Sequence, residues 1–296
     1  MNDAALLQLS NGAAATDTTS VQAMFEILDA RVRVISASIG PPRQWSILYA
    51  GFRTRPGPAD VTVVVSSPGD AEQPRPGEAA VIAGEVVRPW TGAEPLFPPL
   101  WVPPLDRWLF LRGTAVGRAG QAVLLLSDSG ADRTLLAVAM VARGAWLLAD
   151  ELVPVDPDDL LVAPFPKSLR LDREALRLLG IDLADPALVP FRTADREIEW
   201  RAEPDALVGA RSSRVAADAG AVVFLEPHAR AEQPRLEPLP PREALTRLCG
   251  ELHRVPTGFQ TGMDALVRLC SRTPAYSLAC GSPGRSARVL DEALLV

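Results

Sequence analysis

The chain has 296 residues and a mass of 31.6 kDa, is 48% hydrophobic, and carries a net charge of −6 with a pI near 5.1. That is enough apolar material for one large domain or two modest ones, and the acidic balance argues against a nucleic-acid binder. No apolar run approaches the roughly 18 residues that span a bilayer; the three cysteines, Cys249, Cys270 and Cys280, lie far apart without CxxC spacing, which points to reduced thiols in a cytoplasmic protein and away from zinc or a disulfide framework.

Residues 1–20 are small and polar and read as a disordered tail, with no basic region before the apolar stretch that a secretory signal would need. Over 21–29 (VQAMFEILD) the spacing predicts a short amphipathic helix. Strands are predicted at 31–39, 60–67 and 79–87, separated by turns at 40–43 (GPPR), 55–58 (RPGP) and 73–77 (QPRPG). Residues 21–105 therefore read as a small β-rich N-terminal domain. Its last part, EPLFPPLWVPPLD at 94–106, carries five prolines and reads as a connector.

From 106 to 296 the pattern changes. RWLFLRGTAV at 107–116 reads as one strand and QAVLLL at 121–126 as the next. DRTLLAVAMVARG reads as a helix closed by Gly144. AWLLAD at 145–150 is a third strand, ELVPVD continues extended, and Asp156-Pro157-Asp158 make a turn. LLVAPFP is short and extended, and REALRLLG at 173–180 is helical. GAVVFLEP at 220–227 is a strand. Helices are predicted at 241–253, 261–272 and near 285–294, with a short strand at AYSLAC. Strands alternating with helices indicate an α/β domain.

The segment QAVLLLSDSGADRT places a strand before a loop and a helix after it. A phosphate-binding loop in that position reads G-x-x-x-x-G-K-[ST]. Here the same positions hold Ser127, Asp128, Ser129, Gly130, Ala131, Asp132, Arg133 and Thr134. Such a loop works because consecutive backbone N–H groups converge on phosphate at a helix N-terminus, with glycines allowing close approach. A lysine neutralises the terminal phosphates and a hydroxyl holds magnesium. Thr134 keeps the hydroxyl. Arg133 keeps a charge on a bulkier, planar group. Asp132 sets a carboxylate where polyphosphate would lie. Taken alone, the loop reads better as a plain strand-to-helix turn with Asp128 or Ser129 near the N-cap. Lys167 is the only lysine in the chain, so an arginine at 133 also follows the overall composition.

The wider context resembles the HPr kinase/phosphorylase-like P-loop family, in particular its small relatives in peptide-modification gene clusters. The resemblance is carried by LFLRGTAV, AVLLLSDSGADRTLL, VARGAWLLADELVPVD and APFPKSLRL, then VVFLEP, PRLEPLPPREALTRL and AYSLAC. It covers roughly 105–296 and implies an HPr kinase-like P-loop domain with a helical C-terminal part. By the same resemblance the protein would be an ATP-dependent kinase acting on a serine hydroxyl, using ATP and Mg2+. Asp150 would be the base, and Thr134, Asp150 and Glu151 would hold the metal. Arg112 stands where the family often has a histidine. It could meet a phosphate or pair with Asp132 or Asp150, or it could simply be a surface arginine.

Positions 112, 127, 132 and 133 depart from the pattern. The expectation is therefore a degenerate member of the family with poor or absent ATP turnover, serving as a pseudokinase-like binding or regulatory partner. The alternative is an active atypical serine kinase in which Arg133 replaces the lysine. If the site no longer works, no cofactor is expected. Expected partners are a peptide or protein, such as a modification enzyme or a PqqD-like protein, with neither nucleic acid nor membrane. HPr kinases form rings, so a homo-oligomer stays open. Lys167, which the resemblance puts on the acceptor side, could meet a peptide or phosphate but reads first as a solvated loop lysine; His228 and His253 read as structural; and Arg211–Arg214 could bind an anion or an acidic peptide tail but read first as a solvated basic loop.

Overall fold

Strand pairing decides the first unit. In the computed structural model, which describes residues 8–10, 20–36, 45–65, 81–82, 85–86, 105–127, 130–192, 198–207, 212, 215–226, 233–254 and 259–295, the segment read as a helix over 21–29 is a strand. β1 (Gln8–Ser10) pairs antiparallel with β2 (Ser20–Ile27), and β2 pairs with β3 (Ala30–Ser36). Phe25 and Ile27 are buried while Glu26 points out. Ala23 and Met24 are buried as well, so it is the antiparallel ladder to β3, from Val21 opposite Ser36 to Ile27 opposite Ala30, that makes the segment a strand. The hairpin turns through Leu28, whose φ is 52°. Pairing of Gln8–Ser10 also corrects the expectation of a wholly disordered tail; residues 1–7 and 11–19 lie outside the described residues.

β3 pairs in parallel with β4 (Val61–Val65), so the chain must cross over between them. The crossover contains a helical turn over 45–48. Its aromatic side chains meet Phe25: Phe25–Trp45 and Trp45–Tyr49 ring centroids are each 5.5 Å apart. These rings close the small core. The predicted strand over 79–87 is instead a tight hairpin of β5 (Val81–Ile82) and β6 (Glu85–Val86), pairing Val81 with Val86. The sheet runs β1-β2-β3-β4-β5-β6, with β2, β3 and β4 its longer members. The connector read at 94–106 falls mostly outside the described residues.

The chain divides into two units: residues 1–105 with 192–198, and residues 106–191 with 199–296. The second is a mixed α/β unit. The single strand expected at 107–116 is two, β7 (Leu109–Arg112) and β8 (Thr114–Arg118), split at Gly113. β9 (Gln121–Leu126) follows, then α1 (Gly130–Ala142), which starts two residues before the predicted helix. The end of α1 matches prediction. Gly144 sits at φ 99°, its N–H donates to the Val141 carbonyl, and Ala145 N–H donates to Met140, a Schellman closure. β10 (Trp146–Ala149), β11 (Leu152–Val155), β12 (Leu161–Val162) and β13 (Leu169–Leu171) come next. α2 (Arg173–Leu179) is capped by Asp172 and closed by Gly180. Then come β14 (Val189–Arg192), β15 (Ile198–Ala202), β16 (Ala217–Glu226) and β17 (Arg235–Leu239). α3 (Pro241–Gly250) is shorter than expected, because Leu252–Arg254 forms an edge strand, β18. α4 (Phe259–Arg272), β19 (Ala275–Ala279) and α5 (Pro283–Leu294) complete the unit.

The large sheet runs β10-β8-β9-β16-β12-β11-β7-β18, with β19 joining β16 to β17. Its centre is parallel: β16 pairs in parallel with both β9 and β19. β9 and the second half of β16 are buried, apolar runs, as parallel strands covered by helices must be, while β19 is only partly buried. α1 packs against α5, and Leu135, Leu136 and Met140 join Leu125, Val223, Leu225, Leu278 and Leu290 in one core. A buried side chain of this size contributes about 1.5–3 kcal/mol. β13, β15 and β14 form a separate three-stranded sheet. Among the described residues no helix is long and apolar enough to cross a membrane.

Candidate functional site

Two neighbouring chain segments change pairing partners at the same level of the sheet. β7 pairs with β11, and β8 pairs with β10. Gly113 makes the break in one segment; Asp150 and Glu151 make it in the other, joined by a Gly113 N–H to Glu151 carbonyl bond of 3.2 Å. Glu151 takes a left-handed φ of 63°, uncommon for a residue with a side chain. The acid pair therefore sits at a fixed kink and not on a solvated turn.

Asp150 is 1% exposed. The Thr114 hydroxyl donates to its Oδ1 at 2.7 Å, and the Thr134 hydroxyl, from the first turns of α1, donates to Oδ1 at 3.2 Å and Oδ2 at 3.4 Å. Burial, reinforced by the Glu151 charge, pushes the Asp150 carboxyl above its ordinary value against the Thr114 bond and the charge of Arg133. Thus the loop hydroxyl and the strand-end acid are brought together, as the resemblance implies.

Glu151 is held differently. Lys167 Nζ forms an ion pair with its Oε2, and Arg201 Nη1 lies 3.2 Å from its Oε1. Burial alone would raise the Glu151 carboxyl, but these two cations outweigh it and hold it well below the usual carboxylate range. Arg201 also donates to Glu199 Oε1 through Nε and Nη2, at 3.2 and 2.9 Å. Arg170 meets the other Glu199 oxygen at 2.5 Å. Lys167 is fully buried, which corrects the expectation of a solvated lysine. Phe165 bridges to Ala149 at the end of β10, and its N–H donates to Leu148. That pairing carries Lys167 under the acids. Sequence reading did not single out Arg201 or Glu199. Their spacing of two on β15 puts both on one face, the signal that could have found them.

The loop residues part company. Asp128 and Ser129 lie outside the described residues, and Gly130 and Ala131 begin α1. Ser127 is buried, and Arg133, 8% exposed, turns its guanidinium back to donate through Nη1 to the Ser127 carbonyl. Desolvation lowers the Arg133 pKa, opposed by Asp150, Glu251 and Glu151. Asp132 faces a cavity of about 360 Å³, shared with Leu135, Glu226, Cys280 and Ser282, and does not pair with Arg133. Arg112 reaches neither Asp132 nor Asp150. Its Nη2 donates to the Gly250 carbonyl at 2.6 Å and its Nε lies 3.8 Å from Glu251, at the C-terminus of α3, where cations are favourable. Ser212 is bonded to Asp205 through backbone and hydroxyl. Arg211, Ser213, Arg214 and His228 lie outside the described residues.

The residues expected to hold magnesium do not fit it. A hard cation needs free oxygen lone pairs. Both Glu151 oxygens already meet protein cations, and the Thr134 hydroxyl is directed at Asp150. Among the described residues no group of three or more His, Cys, Asp or Glu is placed to hold a metal. The arrangement is an ion network in which Lys167 and Arg201 meet Glu151, Arg201 and Arg170 meet Glu199, and Arg133 lies near Asp150 and Glu251.

Neither the protein-family models nor the curated proteins contain a match to this chain.

Proposed function

We propose that this chain is a degenerate HPr kinase-like P-loop protein that binds no magnesium-ATP and serves as a pseudokinase-like binding or regulatory partner in peptide or protein modification. The family reading is supported by the order of parts: a buried parallel strand, a loop, a helix whose Thr134 meets a strand-end Asp150. The loss of nucleotide is supported above all by Arg133. Its guanidinium is buried in the turn and bonded to the Ser127 carbonyl, so its nearest partner is loop backbone and not solvent or phosphate. The cations beneath it are committed to Glu151 and Glu199. A nucleotide would have to displace these bonds and lie beside Asp132 as well.

Isothermal titration with magnesium-ATP tests this reading, with Asp150→Ala as control. The expected result is no binding up to millimolar nucleotide in either protein. Micromolar binding that weakens in Asp150→Ala would overturn it. The alternative, an active serine kinase using Arg133 and Asp150, would then require phosphate transfer from ATP to a peptide hydroxyl.

A further inference from the structure

The buried ion network contains one cation unlike the others. Every basic residue of the chain except Lys167 is arginine, and Lys167 has no exposed surface. An ammonium is a compact point charge with three donors, whereas a guanidinium is broad and planar. Of the side chains that touch Glu151, Arg201 is also bonded twice to Glu199 and so belongs to both acids. Lys167 pairs with Glu151 Oε2, and its charge also acts on Asp150. Its position is fixed by backbone: Lys167 N–H donates to the Phe165 carbonyl at 2.9 Å, and Phe165 is pinned to the end of β10.

We infer that Lys167 is a tethered cation that fills the place of a divalent metal beside Asp150 and Glu151, so that the wild-type protein takes up no free Mg2+ or Mn2+ there, and that removing the ammonium turns Thr134, Asp150 and Glu151 into a divalent-cation site. The charges argue for it. Lys167 and Arg201 already meet both oxygens of Glu151, whose side chain is 19% exposed, and Arg133 lies beside the buried Asp150, so an added divalent ion would have to displace the ammonium or sit against these cations. Without Lys167 the same place has two carboxylates, a hydroxyl and an excess negative charge. That is an oxygen set of the kind Mg2+ uses, with waters completing its shell. The inference rests on the P-loop reading only for why these acids are the metal-side pair; the cation exchange itself follows from the ion network.

The test uses metal alone, without nucleotide. Mn2+ uptake is followed by electron paramagnetic resonance of the free ion, and thermal unfolding is recorded with and without Mg2+. Wild type is expected to leave the free Mn2+ signal unchanged and to unfold at the same temperature with Mg2+. Lys167→Met, which keeps most of the stem, is expected to take up Mn2+ saturably, one ion per chain, and to gain stability with Mg2+. Adding Asp150→Asn to it should abolish uptake. Saturable Mn2+ uptake by wild type that is lost in Glu151→Gln overturns the inference. So does a folded Lys167→Met that takes up none. A Lys167→Met chain that stays unfolded even with Mn2+ also counts against it, because a cation site would restore the fold. Binding of ATP by wild type without uptake of free metal would overturn the proposed function and leave this inference standing.

Discussion

The Thr114 hydroxyl lies 2.7 Å from Asp150 Oδ1, bonding the first residue of β8 to the residue that follows β10. Both groups are buried, so water cannot replace the bond. Thr114→Val keeps the shape and removes the donor, leaving Asp150 Oδ1 with the longer Thr134 bond of 3.2 Å. The expected cost is about 1.5–3 kcal/mol, the range for hydrogen bonds to charged groups. Urea denaturation measures it. A change below a few tenths of a kcal/mol would mean that the bond contributes little.

Asp150 also sets a pH dependence. Its folded pKa is raised above the ordinary 3.8 by burial. Between these values the native chain binds more protons than the unfolded one, so this group's contribution to stability falls as pH rises through its raised folded pKa. Glu151 has the opposite sign. Its folded pKa is depressed, so its contribution is present above its unfolded value of 4.5 and is lost as pH falls below it. Asp150→Asn should therefore gain on wild type as pH rises from 3.8 through the raised folded pKa. Denaturation curves recorded across that rise check this; a difference that does not change with pH would contradict it.

Removing Lys167 without supplying a metal should be severe. Glu151, its side chain 19% exposed, would keep the Arg201 ion pair and lose the ammonium. Breaking one partner of a buried pair costs about 3–5 kcal/mol. Lys167→Ala should lose about that much in chemical denaturation, and Lys167→Arg should also lose stability because the guanidinium is too broad for the place. A near-neutral Lys167→Arg would show that shape does not matter there.

The glycines at the sheet break can be tested against open ones. A Cβ on Gly113 would lie 2.5 Å from Leu126 Cδ2 and 3.0 Å from the Leu125 carbonyl oxygen; on Gly117 it would lie 2.6 Å from Leu148 Cδ1 and 2.9 Å from the Gln121 carbonyl oxygen. Alanine at either should cost about 1–3 kcal/mol, as overpacking does. Gly284, in α5, meets nothing within 4 Å, so Gly284→Ala should be neutral or stabilise by up to about 1 kcal/mol. The melting temperatures of the three variants decide the order.

Thiol reactivity should separate the cysteines. Burial pushes the Cys280 and Cys270 thiols up to about 11, while Cys249 is exposed. Alkylation near neutral pH, followed by mass spectrometry, should modify Cys249 first, because only the thiolate reacts. Faster modification of Cys280, which lines the cavity beside Asp132, would contradict this order.

The sequence by itself determined the local parts. QAVLLL and GAVVFLEP are long apolar runs and form the central parallel strands, and Gly144 closes α1 where the pattern places it; Gly180, read as the last residue of a helix, instead closes α2. The meeting of Thr134 with Asp150 was an expectation of the resemblance alone, since the loop by itself reads as a plain strand-to-helix turn. Local pattern misjudged VQAMFEILD, whose apolar positions suit either period; only pairing to β3 and the aromatic crossover selected the strand. It also ran β7 into β8, since nothing before Gly113 tells that the strand changes neighbours there. The ionic interior was decided by tertiary structure alone. Glu151, Lys167 and the Glu199–Arg201 pair of β15 come from three separate segments, and each looks like a solvated residue in its own stretch. Long-range pairing of β10 with Phe165 and of β13 with β15 buries them together, and burial is what turns four ordinary surface charges into one network.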